Sequence, residues 1–228
     1  MATGNAHKAA EIQAILGPGF TYLSLKDFSD APAVVEDAET FAGNATKKAV
    51  ALAKWMATNE GVLVKANQEL LVLADDSGLE VNALGGAPGV HSARFAALDT
   101  GQSGNSSSDA NNAKLLRLLK EVPRERRTAR FKCVLALTPI LKPQPAHASP
   151  VCFADEFELQ TRLFEGVCEG LIGFELRGQG GFGYDPLFFP QGYDQTFGEL
   201  GEAVKNELSH RARALSLLRG HWPSRGLA

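Results

Sequence analysis

The first apolar pattern in the chain is helical. Ile12, Ile15 and Leu16 recur at i, i+3, i+4 spacing behind the turn-forming Thr3-Gly4-Asn5, and Gly17-Pro18-Gly19 ends the run. A short strand is expected over residues 22–25 and an acidic, exposed loop over residues 31–39. Residues 40–59 read as an Ala-rich helix that buries Val50, Leu52 and Trp55. Leu70-Leu71-Val72-Leu73-Ala74 is a continuous apolar run bounded by polar residues, the pattern of a strand covered on both faces. That places Asp75 and Asp76 at the strand's C-terminal mouth, where open α/β sheets hold ligands.

The polar tract TGQSGNSSSD, residues 100–109, is a surface loop. Asp109 is its expected closing residue and the N-cap of a helix carrying Leu115, Leu116, Leu118 and Leu119. RFKCVLALT, residues 130–138, reads as a strand, the Pro-rich residues 139–150 as an excursion, and residues 153–164 as the returning strand. A glycine-rich run, GQGGFGYDPLFFP, precedes a last helix over residues 201–218, and no internal repeat is present.

Composition narrows the partners. With 228 residues, 44% apolar and 21% charged, the chain suits one sizeable domain or a two-lobed one. A formal net charge of -3 disfavours binding to a nucleic-acid backbone but leaves room for a small phosphorylated ligand gripped by a local cluster of cations. Cys133, Cys152 and Cys168 are odd in number and lack CxxC spacing, so they read as reduced, packed thiols rather than a disulfide framework or zinc site. Neither a leader-like segment nor an apolar run of membrane-spanning length is visible, and the expected compartment is the cytoplasm.

Four constellations could carry chemistry. Thr3-Gly4-Asn5 opening a helix, with Lys8 one turn inside, offers free N–H groups and a charge for phosphate, although Thr and Asn also cap helices for purely structural reasons. Adjacent carboxylates at Asp75 and Asp76 resist joint ionisation unless a cation such as Mg²⁺ lies beside them or one pKa is raised; the competing reading is a solvated turn. Ser92 and Arg94, after a glycine turn, could close on that site. Phe182 and Asp185 in GGFGYDP combine a stacking face with a backbone that a flat ligand can approach, or else form an aromatic plug. Lys205, Ser209, His210 and Arg211 cluster donors suited to carbonyl and phosphate oxygens, or form a solvated basic face.

Taken together and in order, Thr-Gly-Asn-x-x-Lys, Thr-Phe-x-x-Asn-Ala-x-x-Lys-Ala, Ala-Asp-Asp-Ser-Gly-Leu, Gly-Ala-Pro-Gly-x-x-Ser-Ala-Arg, Gly-Gly-Phe-Gly-Tyr-Asp-Pro and Ser-His-Arg resemble the inosine triphosphatase family over nearly the whole chain. The resemblance implies a single elongated α/β domain spanning 1–228, with a long mixed central sheet, flanking helices and two lobes around a central cleft, usually a homodimer. It implies Mg²⁺-dependent hydrolysis of ITP, dITP or XTP to the monophosphate and pyrophosphate. By resemblance Asp76 is the catalytic carboxylate, with Asp75, Asp76 and Glu36 at the metal. Thr3, Asn5, Lys8, Lys48 and Ser77 hold the triphosphate, while Ser92, Arg94, Phe182, Tyr184, Asp185, Lys205, Ser209, His210 and Arg211 line the base and substrate pocket.

Two departures from the family pattern stand out. Many members place a glutamate before the Asn of the second motif, where this chain has Gly43, so the metal shell is expected to be rebuilt around Glu36 or Asp75 with extra waters. A short apolar strand normally precedes Ala-Thr-Gly-Asn, whereas only Met1 and Ala2 precede Thr3 here, and reduced stability is the expectation. The runner-up readings are a Maf-like pyrophosphatase of other base preference and a catalytically inactive nucleotide binder.

Overall fold

Local capping fixes the first elements. The computed structural model describes residues 1–28, 30–59, 70–101, 103–141 and 155–221. Asn5 caps helix α1 (Ala6–Leu16), its Oδ1 accepting from the Lys8 N–H at 3.2 Å, and Gly17 ends the helix with a φ of 76°. Residues 22–25 are not the expected strand. Asp27 Oδ2 accepts from the Ser24 N–H at 2.7 Å and Ser24 caps in return, which closes a 3-10 turn over Leu25–Asp27 and uses donors a ladder would need.

Helix α2 (Phe41–Thr58) starts at Thr40, whose Oγ1 accepts from the Gly43 N–H at 3.0 Å. Its buried face carries Ala45, Ala49, Leu52, Ala53 and Met56; Val50 is also buried, while Trp55 is half-buried and meets Phe28 edge-on. Strand β1 (Leu71–Val81) runs past the expected end at Ala74, because Ser77-Gly78-Leu79-Glu80-Val81 continues the extended pattern with Leu79 and Val81 buried. Asp75 and Asp76 therefore lie within the strand and not at its mouth.

Helix α3 (Ser108–Leu118) is capped by Ser107, whose Oγ accepts from the Ala110 N–H at 3.2 Å. Asp109, the expected cap, sits in the first turn, where its charge favours the helix dipole. Strand β2 (Thr128–Pro139) follows, then helix α4 (Glu156–Gln160) and strand β3 (Arg162–Ile172). The expected strand over 153–164 is thus largely replaced: residues 153 and 154 fall outside the described residues, and Asp155 caps a helical turn by accepting from the Phe157 N–H at 2.9 Å. Most of the Pro-rich excursion, residues 142–150, also falls outside them. Strand β4 (Phe188–Pro190) precedes α5 (Glu202–Leu208) and α6 (His210–His221). The single expected last helix breaks at Ser209, whose extended ψ of 158° stops α5 while its Oγ accepts from the Ala212 N–H to start α6.

The described strands form one four-stranded sheet in the order β1-β2-β3-β4. The Ile140 N–H donates to Leu70 O near one end of the β1-β2 pair and Asn82 Nδ2 reaches Thr128 Oγ1 near the other, so the two strands run antiparallel. Thr138 pairs hydroxyls with Thr161, and the Ile172 N–H bonds to Arg127 O, giving β2 and β3 the same relation. Strands β3 and β4 are antiparallel with Gly170 opposite Pro190. The expected long mixed sheet is replaced, among the described residues, by an antiparallel one in which every strand neighbours the next in sequence; a mixed sheet would need a parallel crossover.

The chain divides into two compact units, 1–76 with 134–164 and 77–133 with 165–228. In the first, the α2 residues Ala45, Ala49 and Ala53 and the strand residues Val72, Ala74, Leu135 and Ala136 are all buried. The second is built on aromatics: Phe131 lies 4.6 Å from Phe188 and 4.9 Å from the stacked His210 ring, with Phe188 stacked on Phe197. Cys133 and Cys168 are buried; Cys152 falls outside the described residues.

Strand β3 and α6 meet where no side chain fits. A Cβ at Gly166 would stand 2.1 Å from the His210 carbonyl oxygen and 2.4 Å from the Ala214 nitrogen. Gly166→Ala should therefore destabilise the protein by roughly 1–3 kcal/mol, as overpacking against backbone does. Gly220→Ala, with nothing within 4 Å of the added carbon, should be neutral or slightly stabilising. Thermal melts of the two variants check this, and equal midpoints would refute the close-approach argument.

Candidate active site

Two clusters of polar side chains stand out, one in each unit. The first is centred on β1. Strand alternation sends Asp75 and Asp76 to opposite faces, and their partners differ accordingly. Lys8 Nζ lies 2.5 Å from Asp75 Oδ1, whereas Lys48 Nζ lies 2.9 Å from Asp76 Oδ1 and 2.9 Å from Glu36 Oε2. Lys48 also donates to the Asp75 carbonyl oxygen at 2.8 Å. Lys48 comes from α2, one turn after Asn44, whose Nδ2 reaches Asp76 Oδ2 at 3.4 Å while its Oδ1 accepts from the Ala38 N–H.

Electrostatics distinguish the acids. Burial pushes Asp76 up to about 6, more than the adjacent Lys48 and Lys8 charges pull it down, with Glu36 adding to the rise. Burial also acts on Glu36, but the charge and hydrogen bond of Lys48 outweigh it and hold that carboxyl below its ordinary value. Lys48 is raised, since Asp76 and Glu36 outweigh its desolvation. Of Glu36 and Asp76, Asp76 is thus the acid whose ionised form is harder to keep.

Glu36 and Asp76 share Lys48, and the Glu36 side chain remains 40% exposed. Asp75 turns to Lys8 instead. Among the described residues no three His, Cys, Asp or Glu side chains gather as a metal-holding group. The donor set on the Lys48 side is therefore two hard carboxylates, which suits a Mg²⁺ that keeps most of its waters. Gly43 itself has no room for a side chain: a Cβ there would lie 2.7 Å from Ala38 Cβ. The N-terminal loop is arranged as a cap, with Thr3 Oγ1 accepting from the Asn5 N–H at 3.1 Å, and residues 4–7 are exposed at the start of α1.

The second cluster follows Ser77. Arg211, fully buried at the start of α6, donates from Nη2 to Ser77 Oγ at 3.0 Å. Lys205 Nζ pairs with Asp185 Oδ2 at 2.7 Å, with both residues buried. The same Asp185 oxygen accepts from the Phe182 N–H at 2.7 Å, and a Cβ at Gly181 would strike it. Lys205 Nζ lies 4.5 Å from the centre of the Phe182 ring and the Arg211 guanidinium 6.0 Å from it. Ser209 and His210 are buried at the same helix break, His210 stacked on Phe131.

Ser92 and Tyr184 act on the protein itself. Ser92 Oγ accepts from the Leu79 N–H at 2.9 Å and donates to the Gly89 carbonyl, and the buried Tyr184 hydroxyl donates to Ser92 O at 2.9 Å. Desolvation raises that phenol well above its ordinary value, so it stays protonated as a donor. Arg94 is half-buried at the end of the 3-10 segment Gly89–Arg94. The sequence reading did not single out Asn44, although its i, i+4 spacing from Lys48 puts both on one helix face.

Comparison with known proteins accounts for the joint presence of these groups. Residues 1–221 match the sequence pattern of the Ham1 family. A protein named dITP/XTP pyrophosphatase from Desulforamulus reducens is 46% identical, covering 94% of this chain and 90% of its own. One of the same name from Geobacter sulfurreducens is 45% identical, covering 100% and 97%. Among solved structures, a HAM1 protein from Coxiella burnetii is 33% identical with a TM-score of 0.73 over 96% of this chain and 94% of that one. A nucleoside-triphosphatase, or dITP/XTP pyrophosphatase, from Mycobacterium abscessus is 34% identical with a TM-score of 0.66 over 95% of each chain. Agreement over nearly full length, in sequence and in fold, makes this chain a member of the Ham1 family.

Proposed function

We propose that the protein hydrolyses deaminated purine nucleoside triphosphates, ITP, dITP and XTP, to the monophosphate and pyrophosphate. The observation that carries this is Asp76: a buried carboxyl lifted to about 6, held 2.9 Å from Lys48, in a chain aligned end to end with proteins named for that reaction. A general base must sit at the reacting centre, and a buried carboxylate fixed by Lys48 and Asn44 meets that geometric demand.

In this reading Asp76 Oδ takes the proton from the water that attacks the α-phosphorus, and the α–β anhydride bond breaks. Lys8, Lys48 and the exposed N–H groups opening α1, with Thr3 and Asn5 shaping the loop, bind the triphosphate and offset its charge. Ser77, oriented by Arg211, contributes a hydroxyl to the same chain. Mg²⁺, held through Glu36 and Asp76, would neutralise phosphate charge and lower the pKa of a bound water. Asp75 serves by holding Lys8.

Phe182 stacks on the purine, and Lys205, Asp185, Ser209, His210 and Arg211 recognise its edge. Donors aimed at a 6-keto oxygen meet an amino group in adenine and are left unpaired, which rejects ATP by roughly 10⁴-fold or more. Arg94 is assigned to the same end of the nucleotide. The reading treats chain 1–228 as one catalytic domain with two lobes, working in the cytoplasm as a homodimer on a free nucleotide. The net charge of -3 fits a partner that is not a nucleic acid, and no described helix is long and apolar enough to cross a membrane.

Two outcomes are expected. Pyrophosphate release should be seen with ITP and XTP, be far weaker with ATP and GTP, require Mg²⁺, and fall by at least 10²-fold in Asp76→Asn. Orthophosphate as the product would make the protein a phosphatase, and silence with retained ITP binding would make it an inactive binder. The second outcome concerns stability in EDTA. A carboxyl whose folded pKa lies near 6, above the unfolded value near 3.8, loses stability as pH rises between the two. Asp76→Asn should therefore remove this part of the fall in melting temperature between about pH 4 and pH 6, leaving a flatter profile than the parent's. A pH-independent loss of stability would contradict the burial argument.

A further inference from the structure

Helix α3 supplies none of the groups assigned above to catalysis or base reading, yet it carries two consecutive buried amides, Asn111 and Asn112. Asn111 holds the chain after Ser92: its Oδ1 accepts from the Ala96 N–H at 2.8 Å and its Nδ2 donates to Ala93 O at 3.2 Å. Asn112, 2% exposed, donates from Nδ2 to the Gly183 carbonyl oxygen at 3.0 Å. Its Oδ1 is buried and finds no hydrogen-bond partner among the described residues. An apolar side chain of similar size would avoid that unpaired acceptor. What the amide supplies in exchange is the bond to Gly183.

Gly183 follows Phe182 directly and adopts a φ of 64°, so the orientation of its peptide sets how the Phe182 turn is presented. The turn is fastened at its other points as well. The Phe182 N–H is held by Asp185, the Asp185 carboxylate by Lys205, and the Tyr184 hydroxyl by Ser92 O. Asn112 is the fastening that comes from a regular helix rather than from another loop or from the base-reading side chains.

We propose that Asn112 is a positioning residue for purine recognition: by fixing the Gly183 carbonyl against α3 it holds the Phe182 face in the orientation that stacks on the base. The inference rests on the proposed nucleotide hydrolysis and deepens it. Asn112 touches neither substrate nor reacting atoms. Its removal leaves Asp76, Lys48 and Lys8 in place, so the effect falls on base recognition and not on the chemical step.

The test is steady-state pyrophosphate release from ITP and GTP by the full chain and by Asn112→Ala, with inhibition by inorganic tripolyphosphate measured alongside. Asn112→Ala should raise KM for ITP about tenfold, as weakened base stacking does, change kcat by less than about threefold, and narrow the ITP-to-GTP selectivity ratio. Tripolyphosphate, which has no base, should inhibit both proteins equally. Asn112→Ser replaces the alanine variant if the latter does not fold, and Tyr184→Phe, which removes a separate fastening of the same turn, should shift KM in the same direction. A folded variant with a lower melting temperature but unchanged KM and selectivity would overturn the inference, leaving Asn112 a brace. Equal weakening of ITP and tripolyphosphate would overturn it too. A parent chain that releases no pyrophosphate from ITP would instead overturn the functional reading, and this inference with it.

Discussion

Everything in the first cluster depends on one constraint: β1 stays extended through Asp75 and Asp76. Because neighbouring side chains of a strand point to opposite faces, two carboxylates adjacent in sequence avoid each other in space, and each acquires its own lysine. Had the chain turned at Asp75, both acids would have been solvated or would have competed for one cation. The extended backbone also offers the Asp75 carbonyl to Lys48, so that one ammonium group bridges strand backbone, Asp76 and Glu36. Lys48 is consequently fixed in three directions by acceptors before any ligand arrives.

Preorganisation of this kind has an energetic consequence. Burial raises Asp76 while its partners only partly compensate, so its ionised form is held at a cost. Reactive sites are often where a fold tolerates such imbalance. The aromatic core around Phe131, Phe188 and Phe197 lies in the other unit, as do the close backbone approaches at Gly166 and Gly170.

That second unit handles its polar groups differently. Arg127, 2% exposed, donates to the Leu119, Val122 and Gly173 carbonyl oxygens, and its guanidinium covers Phe174. A delocalised cation satisfied by carbonyls joins the end of α3 to the chain after β3. The same logic, buried donors given to backbone oxygens, recurs in Asn111, Asn112 and Tyr184. Loops there are fixed by side chains reaching main chain, and the long glycine-rich turn around Phe182 is held without regular secondary structure of its own.

The residue types and order of the motifs were decided by the sequence alone. Chemistry that needs carboxylate, ammonium and aromatic groups can be recognised from those groups wherever they fall, and helical spacing already put Asn44 beside Lys48. The helical core face of α2 was equally legible, because period and side-chain size are local properties. Other features were not local. Nothing in Leu70-Leu71-Val72-Leu73-Ala74 says that the strand continues beyond it, and the lysines that partner Asp75 and Asp76 come from α1 and α2, 67 and 28 residues away in sequence. The break at Ser209, the short helix after Asp155 and the 3-10 turn at Ser24 arise from individual capping bonds competing with longer elements. Only tertiary structure decided which acid faces which lysine, that Ser92 and Tyr184 fasten loops, and that Asn112 holds the Phe182 turn. Those outcomes depend on burial and on partners brought together by folding, and a linear pattern encodes neither.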